Sequence, residues 1–94
     1  MLHQKMISSV DHLRTIVKQM FTDPPPIIDV DFINKITDKT ALYAIEKKYD
    51  TFIEKNMAIL YSHDVIYPIL DIRDAILLRI GRIRRLEQMR EAFA

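Results

Sequence analysis

Apolar residues recur along this chain at helical intervals. Met6, Val10, Leu13, Val17 and Met20 follow one another at steps of four, three, four and three, which places them on one helical face. The spacing predicts a helix from about Leu2 to Phe21. Its ordered start is expected near Ser8, where Ser8 with Asp11, or the Ser8-Ser9 pair itself, supplies an N-cap. Asp23-Pro24-Pro25-Pro26 stops that helix, because three prolines remove backbone donors and impose extended geometry. Residues 22–28 therefore read as a stiff, polyproline-like connector. Asp29 or Asp31 is then placed to cap a short helix from Phe32 to Ile36, with Ile27 or Ile28 packing back as a staple.

Thr37-Asp38 offers the next cap. Leu42, Ile45, Tyr49, Phe52 and Ile53 continue the helical spacing, while Glu46, Lys47, Lys48, Asp50, Glu54 and Lys55 read as a solvated face. Asn56 either breaks this helix or rides on it, and Met57 to Tyr67 remains compatible with helix. Pro68 disfavours helical geometry at Tyr67. Either a new helix starts with Pro68 near its first position, or a continuous helix kinks there.

The last helix, from about Pro68 to Ala92, is the most informative. Ile69, Ile72, Ile76, Ile80 and Ile83 fall within an arc of about 80° on a helical wheel. Leu77 and Leu78 lie outside that arc on different sides, and Leu86, Met89 and Phe93 drift to another flank. The helix is thus apolar over more of its circumference than one small core covers. Gly81 inside it costs about 1 kcal/mol relative to alanine, a cost that the close approach of another helix backbone would offset.

Composition narrows the class. Ninety-four residues make one domain, residues 1–94, with a modest core of its own. One glycine and four prolines argue against an all-β fold and against Gly-rich phosphate loops. With no cysteine there is neither a disulfide framework nor a thiolate metal site or nucleophile. No apolar run approaches the length of a membrane span, and Met1-Leu-His-Gln-Lys5 lacks the apolar core of a signal peptide. The expectation is an all-α bundle of three to five helices with a long C-terminal helix, in the cytoplasm or another intracellular compartment and not associated with a membrane.

The net charge of +1 conceals an asymmetry. All the lysines lie between Lys5 and Lys55, and six of the seven arginines lie between Arg73 and Arg90. Arginine suits forked contacts to carboxylates or phosphates. On the wheel, however, the arginines scatter. Arg79 and Arg90 border the isoleucine arc on one side, Arg73 and Arg84 on the other, and Arg82 and Arg85 lie nearly opposite. Interleaved apolar and arginine positions fit a helix set between protein partners.

Chemistry is hard to find. Ser62-His63-Asp64 holds the residue types of a hydrolytic triad, but adjacent residues cannot line up as nucleophile, base and orienter. They read as a polar cluster at a helix end. His3, His12 and His63 have no metal-ligand spacing, and Asp29 and Asp31 read as helix caps. The aromatics sit at core spacings. No catalytic residue, cofactor, metal or small-molecule substrate is expected.

Three stretches carry a resemblance to the helical A-domain of GINS-family replication proteins. They are Val10-Asp-His-Leu-Arg-Thr-Ile-Val17, Asp23-Pro-Pro-Pro-Ile-Ile-Asp-Val-Asp-Phe32 and Ile76-Leu-Leu-Arg-Ile-Gly-Arg-Ile-Arg-Arg-Leu86. The resemblance implies a non-enzymatic subunit that assembles with paralogues through its long helices and helps join the MCM helicase to its partners. The small β-rich domain that GINS subunits normally add has no counterpart in these residues.

The reading from sequence is an assembly protein that associates with itself or another protein through its C-terminal helix. Ile72, Ile76, Leu77, Ile80, Ile83 and Leu86 are the expected interface, and Arg79, Arg82, Arg84 and Arg85 the expected charged contacts. The alternatives are a small nucleic-acid-binding protein using the same arginines, and a monomeric helical regulator that docks on another protein.

Overall fold

The computed structural model describes residues 9–93. Expectations that fall on Leu2, His3, Met6 and Ser8 lie outside the described residues. Four helices follow one another, α1 (Val10–Met20), α2 (Val30–Ile33), α3 (Lys39–Ser62) and α4 (Ile66–Phe93). Among the described residues there is no strand, and the fold is an all-α bundle with a long C-terminal helix.

The N-termini of α1, α2 and α3 are each held by a short polar side chain that accepts from an orphan backbone N–H. Ser9 accepts from His12 N, Asp29 from Phe32 N and Asp38 from Thr40 N. Asp29, not Asp31, is the cap of α2, so that helix starts and ends earlier than the spacing predicts. Between α1 and α2 the connector runs without helix or strand, with Pro25 and Ile27 buried.

At Asn56 the backbone leaves helical geometry (φ −124°, ψ 20°), and the Asn56 amide donates to the Phe52 carbonyl at 3.0 Å. Asn56 therefore kinks α3 without ending it.

The α3–α4 turn is a Schellman motif. Val65 N–H donates to the Leu60 carbonyl and Asp64 N–H to the Tyr61 carbonyl, while Asp64 takes a left-handed φ of 56°. Val65 and Leu60 are both buried, supplying the apolar contact that accompanies this cap. The new helix begins at Ile66, which puts Pro68 in its first turn, where a missing N–H costs nothing.

A turn this short makes α3 and α4 antiparallel neighbours. Two cross-helix ion pairs fix the register: Asp50 with Arg73, and Lys39 with Glu87 at 2.7 Å. One residue number falls as the other rises. The hydrogen bond to Asp50 holds the Arg73 guanidinium above its ordinary pKa. Asp50 thus engages α4 instead of a neighbouring lysine within an entirely solvated face.

The core is shared by all four helices. Leu13 and Val17 come from α1, Ile33 from α2, Leu42, Tyr49, Phe52 and Ile53 from α3, and Ile66, Ile69, Ile72, Ile76 and Ile80 from α4. Buried Tyr49 donates from its hydroxyl to the Pro26 carbonyl at 2.7 Å, and Arg14 donates to the Ile27 carbonyl at 2.6 Å. These two bonds tie the connector to α3 and α1, and a T-shaped Phe21–Phe52 pair closes the same corner. The molecule is elongated, 52 × 26 × 17 Å, because α4 runs past the body that packs on it.

Candidate interaction surface on the C-terminal helix

The isoleucine arc that the wheel isolates is the chain's own core. Ile72, Ile76 and Ile80 are buried against the other helices, and Ile83 is half-buried against the same cluster. This corrects the expectation that Ile72, Ile76 and Ile80 form an interface with another chain. The chain's own helices cover Ile72, Ile76 and Ile80, so the small core uses these residues and leaves almost none of their surface free.

Leu77 and Leu86 are exposed, as an interface requires. Leu78, Met89 and Phe93, outside the expected set, are exposed too. Leu78 retains 66% of its surface and Phe93 85%, whereas Ile76 retains none. The signal for them was present: they lie off the isoleucine arc on the wheel.

Every residue from Arg84 to Phe93 is exposed. This stretch continues α4 by about 15 Å beyond Ile83, the last side chain that touches the core. Leu86, Met89 and Phe93, at steps of three and four, lie on one side of that extension. The Lys39–Glu87 pair is the last ion pair along α4 among the described residues, and it is half-exposed and weak.

The arginines divide. Arg79 is partly buried, and its Nε donates to the Ile36 carbonyl at 2.9 Å. It fastens the α2–α3 connection, a bond within its own chain that the expected role as a contact to a partner does not include. Arg82, Arg84 and Arg85 are exposed and make no ion pair among the described residues.

Gly81 has nothing within 4 Å of the position a Cβ would occupy. The close helix approach expected there does not occur within this chain, and the space beside Gly81 is open.

Nothing at the polar cluster assembles into a catalytic group. Ser62 Oγ donates to the Ala58 carbonyl, His63 Nδ1 lies 3.1 Å from the Ile59 carbonyl, and Asp64 serves the turn. Among the described residues no three of His, Asp and Glu converge as metal ligands, and no helix is long and apolar enough to cross a membrane.

Comparison with known proteins finds no family model, no curated protein and no solved structure that matches this chain.

Proposed function

We propose that this protein is a non-enzymatic assembly subunit that self-associates through the distal half of α4. One observation carries the reading: a helical extension of nearly three turns that adds nothing to the core and meets its own chain through the Lys39–Glu87 pair, yet carries an exposed apolar stripe, Leu86, Met89 and Phe93. A helix of ten residues has little stability in water by itself. A stripe of large apolar residues on such an arm belongs against another surface. Arg85 and Arg90 flank this stripe, while Glu87 and Glu91 lie on the other side of the helix. The GINS resemblance of residues 10–86 accords with this role and extends it to a replication complex in which paralogous chains pair through the same helix.

The test is mass in solution by light scattering. Wild type is expected as a dimer or higher assembly, insensitive to salt because apolar contact dominates. Leu86→Asp with Met89→Asp should give single chains with unchanged helix content. A wild-type chain that stays monomeric at high concentration sinks the self-association reading. Ile80→Asp cannot serve here, because it buries a charge in the core and unfolds the chain.

A second reading draws on the exposed, unpaired Arg82, Arg84 and Arg85: a nucleic-acid contact along the same arm. It predicts affinity that falls steeply with salt and is lost on replacing the three with alanine. Undiminished binding by that variant excludes it.

A further inference from the structure

Away from α4, the corner between the proline connector and α3 encloses an open cleft of about 690 Å³. Its size is that of a site for a small molecule or a short peptide. One wall is the connector, Phe21 to Pro26. The other is a face of α3 that carries Lys47, Lys48 and Lys55. Phe52 of the T-shaped Phe21–Phe52 pair lies between the two.

Three features define what fits there. The first is charge. The three lysines face a single acid, Asp23, within the cleft, and none of them joins an ion pair among the described residues. The wheel places Glu46 and Asp50 on a different side of α3, and Asp50 is held by Arg73. Glu54 lies beside Lys47 on the wheel but does not line the cleft, so among the α3 residues that do line it the only charged ones are the three lysines.

The second feature is spacing. Lys47 and Lys48 precede Lys55 by eight and seven residues, about 10–12 Å along the helix axis. They address negative charges strung along a chain better than one compact phosphate.

The third is the connector wall. Pro24, Pro25 and Pro26 have no N–H to offer, and the Pro26 carbonyl is already occupied by Tyr49. A strand cannot add to this edge by backbone pairing, so recognition falls to the ammonium groups and the apolar surface. The wall is also fixed in place by Tyr49 and Arg14, which lowers the ordering cost of binding.

From these we infer that the cleft between residues 21–26 and α3 binds an extended acidic peptide segment of a partner protein. The segment carries acidic residues about three positions apart, with a bulky apolar residue between them that rests on the prolines and Phe21. An extended chain advances about 10 Å in three residues, the spacing of the lysines. The site lies apart from the α4 arm and does not rest on its function.

The probe is a seven-residue peptide, capped at both ends, with two aspartates on each side of a central phenylalanine. It is titrated into the isotopically labelled full chain and followed by amide chemical shifts and calorimetry. Saturable shifts confined to residues 21–26 and 44–56 are expected, with affinity that weakens as salt rises. Replacing Lys47, Lys48 and Lys55 together with alanine should weaken binding at least tenfold. Lys35→Ala, outside the cleft, should leave it unchanged. All four lysines are exposed or at the surface, and helix content measured alongside confirms that the variants fold. Shifts elsewhere, no saturable binding, or undiminished binding by the triple variant overturns the inference. So does equal binding of a peptide with asparagine for aspartate. Pyrophosphate that binds the cleft as tightly as the peptide overturns the peptide assignment in favour of a small polyanion.

Discussion

Tyr49 joins burial to a single polar bond, and both leave measurable traces. Replacing it with phenylalanine keeps the packing but leaves the Pro26 carbonyl without its partner. We expect a loss of about 1–2 kcal/mol in denaturant unfolding. Burial also pushes the Tyr49 phenol well above its ordinary value of 10.0. The unfolded chain therefore releases this proton first as pH rises, and stability declines above pH 10 by about 1.4 kcal/mol per pH unit from this group. Tyr49→Phe should flatten that alkaline decline; an identical slope in the variant would refute it. Asp64 offers the opposite case. Its left-handed backbone strains a residue with a Cβ, so Asp64→Gly should stabilise the fold by about 0.5–1 kcal/mol, read as a higher thermal midpoint. The sequence shows Asp64 only as part of a polar cluster. That it closes a Schellman turn depends on where Leu60 and Val65 pack, which no local pattern reveals.

At the level of elements, the caps and breaks were legible because their causes are local. Ser9 and Asp38 cap as short polar side chains do, and Pro24 to Pro26 interrupt the chain as prolines must. The partition of α4 was not legible. Its isoleucines form the most regular apolar stripe in the chain, and regularity alone cannot say whether a stripe meets the chain's own helices or another molecule. The excess of apolar surface was readable; the side on which it remained uncovered required the placement of α2 and α3. Gly81 now separates two states of the same helix. In a single chain Gly81→Ala should stabilise by about 1 kcal/mol, since its surroundings are open. If assembly brings a second backbone against that flank, the added methyl will weaken association while still stabilising the monomer. Thermal unfolding of a dilute sample, with light scattering of a concentrated one, resolves the two effects.

For the whole molecule, the body and the arm are energetically separate. All core side chains of α4 lie at or before Ile83. A chain ending at Arg84 should therefore fold with nearly the wild-type denaturant midpoint, losing only the half-exposed Lys39–Glu87 pair, worth under about 1 kcal/mol. The same truncation should abolish self-association. A truncated chain that unfolds would mean that the arm supports the body, and the division drawn here would fail. The acidic-peptide cleft lies on the body, so the truncated chain should retain it. Neither surface contains a catalytic arrangement, and neither was separable from ordinary solvated helix by spacing alone. Lys47, Lys48 and Lys55 read as one more charged face until the connector folds over beside them.

The arm also makes the assembly state visible to a protease. Arg84, Arg85 and Arg90 are exposed on the last turns of α4, beyond its core contacts. Helix ends of this kind open locally with little free energy. Trypsin cleaves after arginine, so in dilute solution its first cut in the arm should shorten the chain to its body. Once two arms lie against each other, the same bonds have to wait for the partners to separate. The rate of that first cut, followed against protein concentration, then becomes a clock for dissociation.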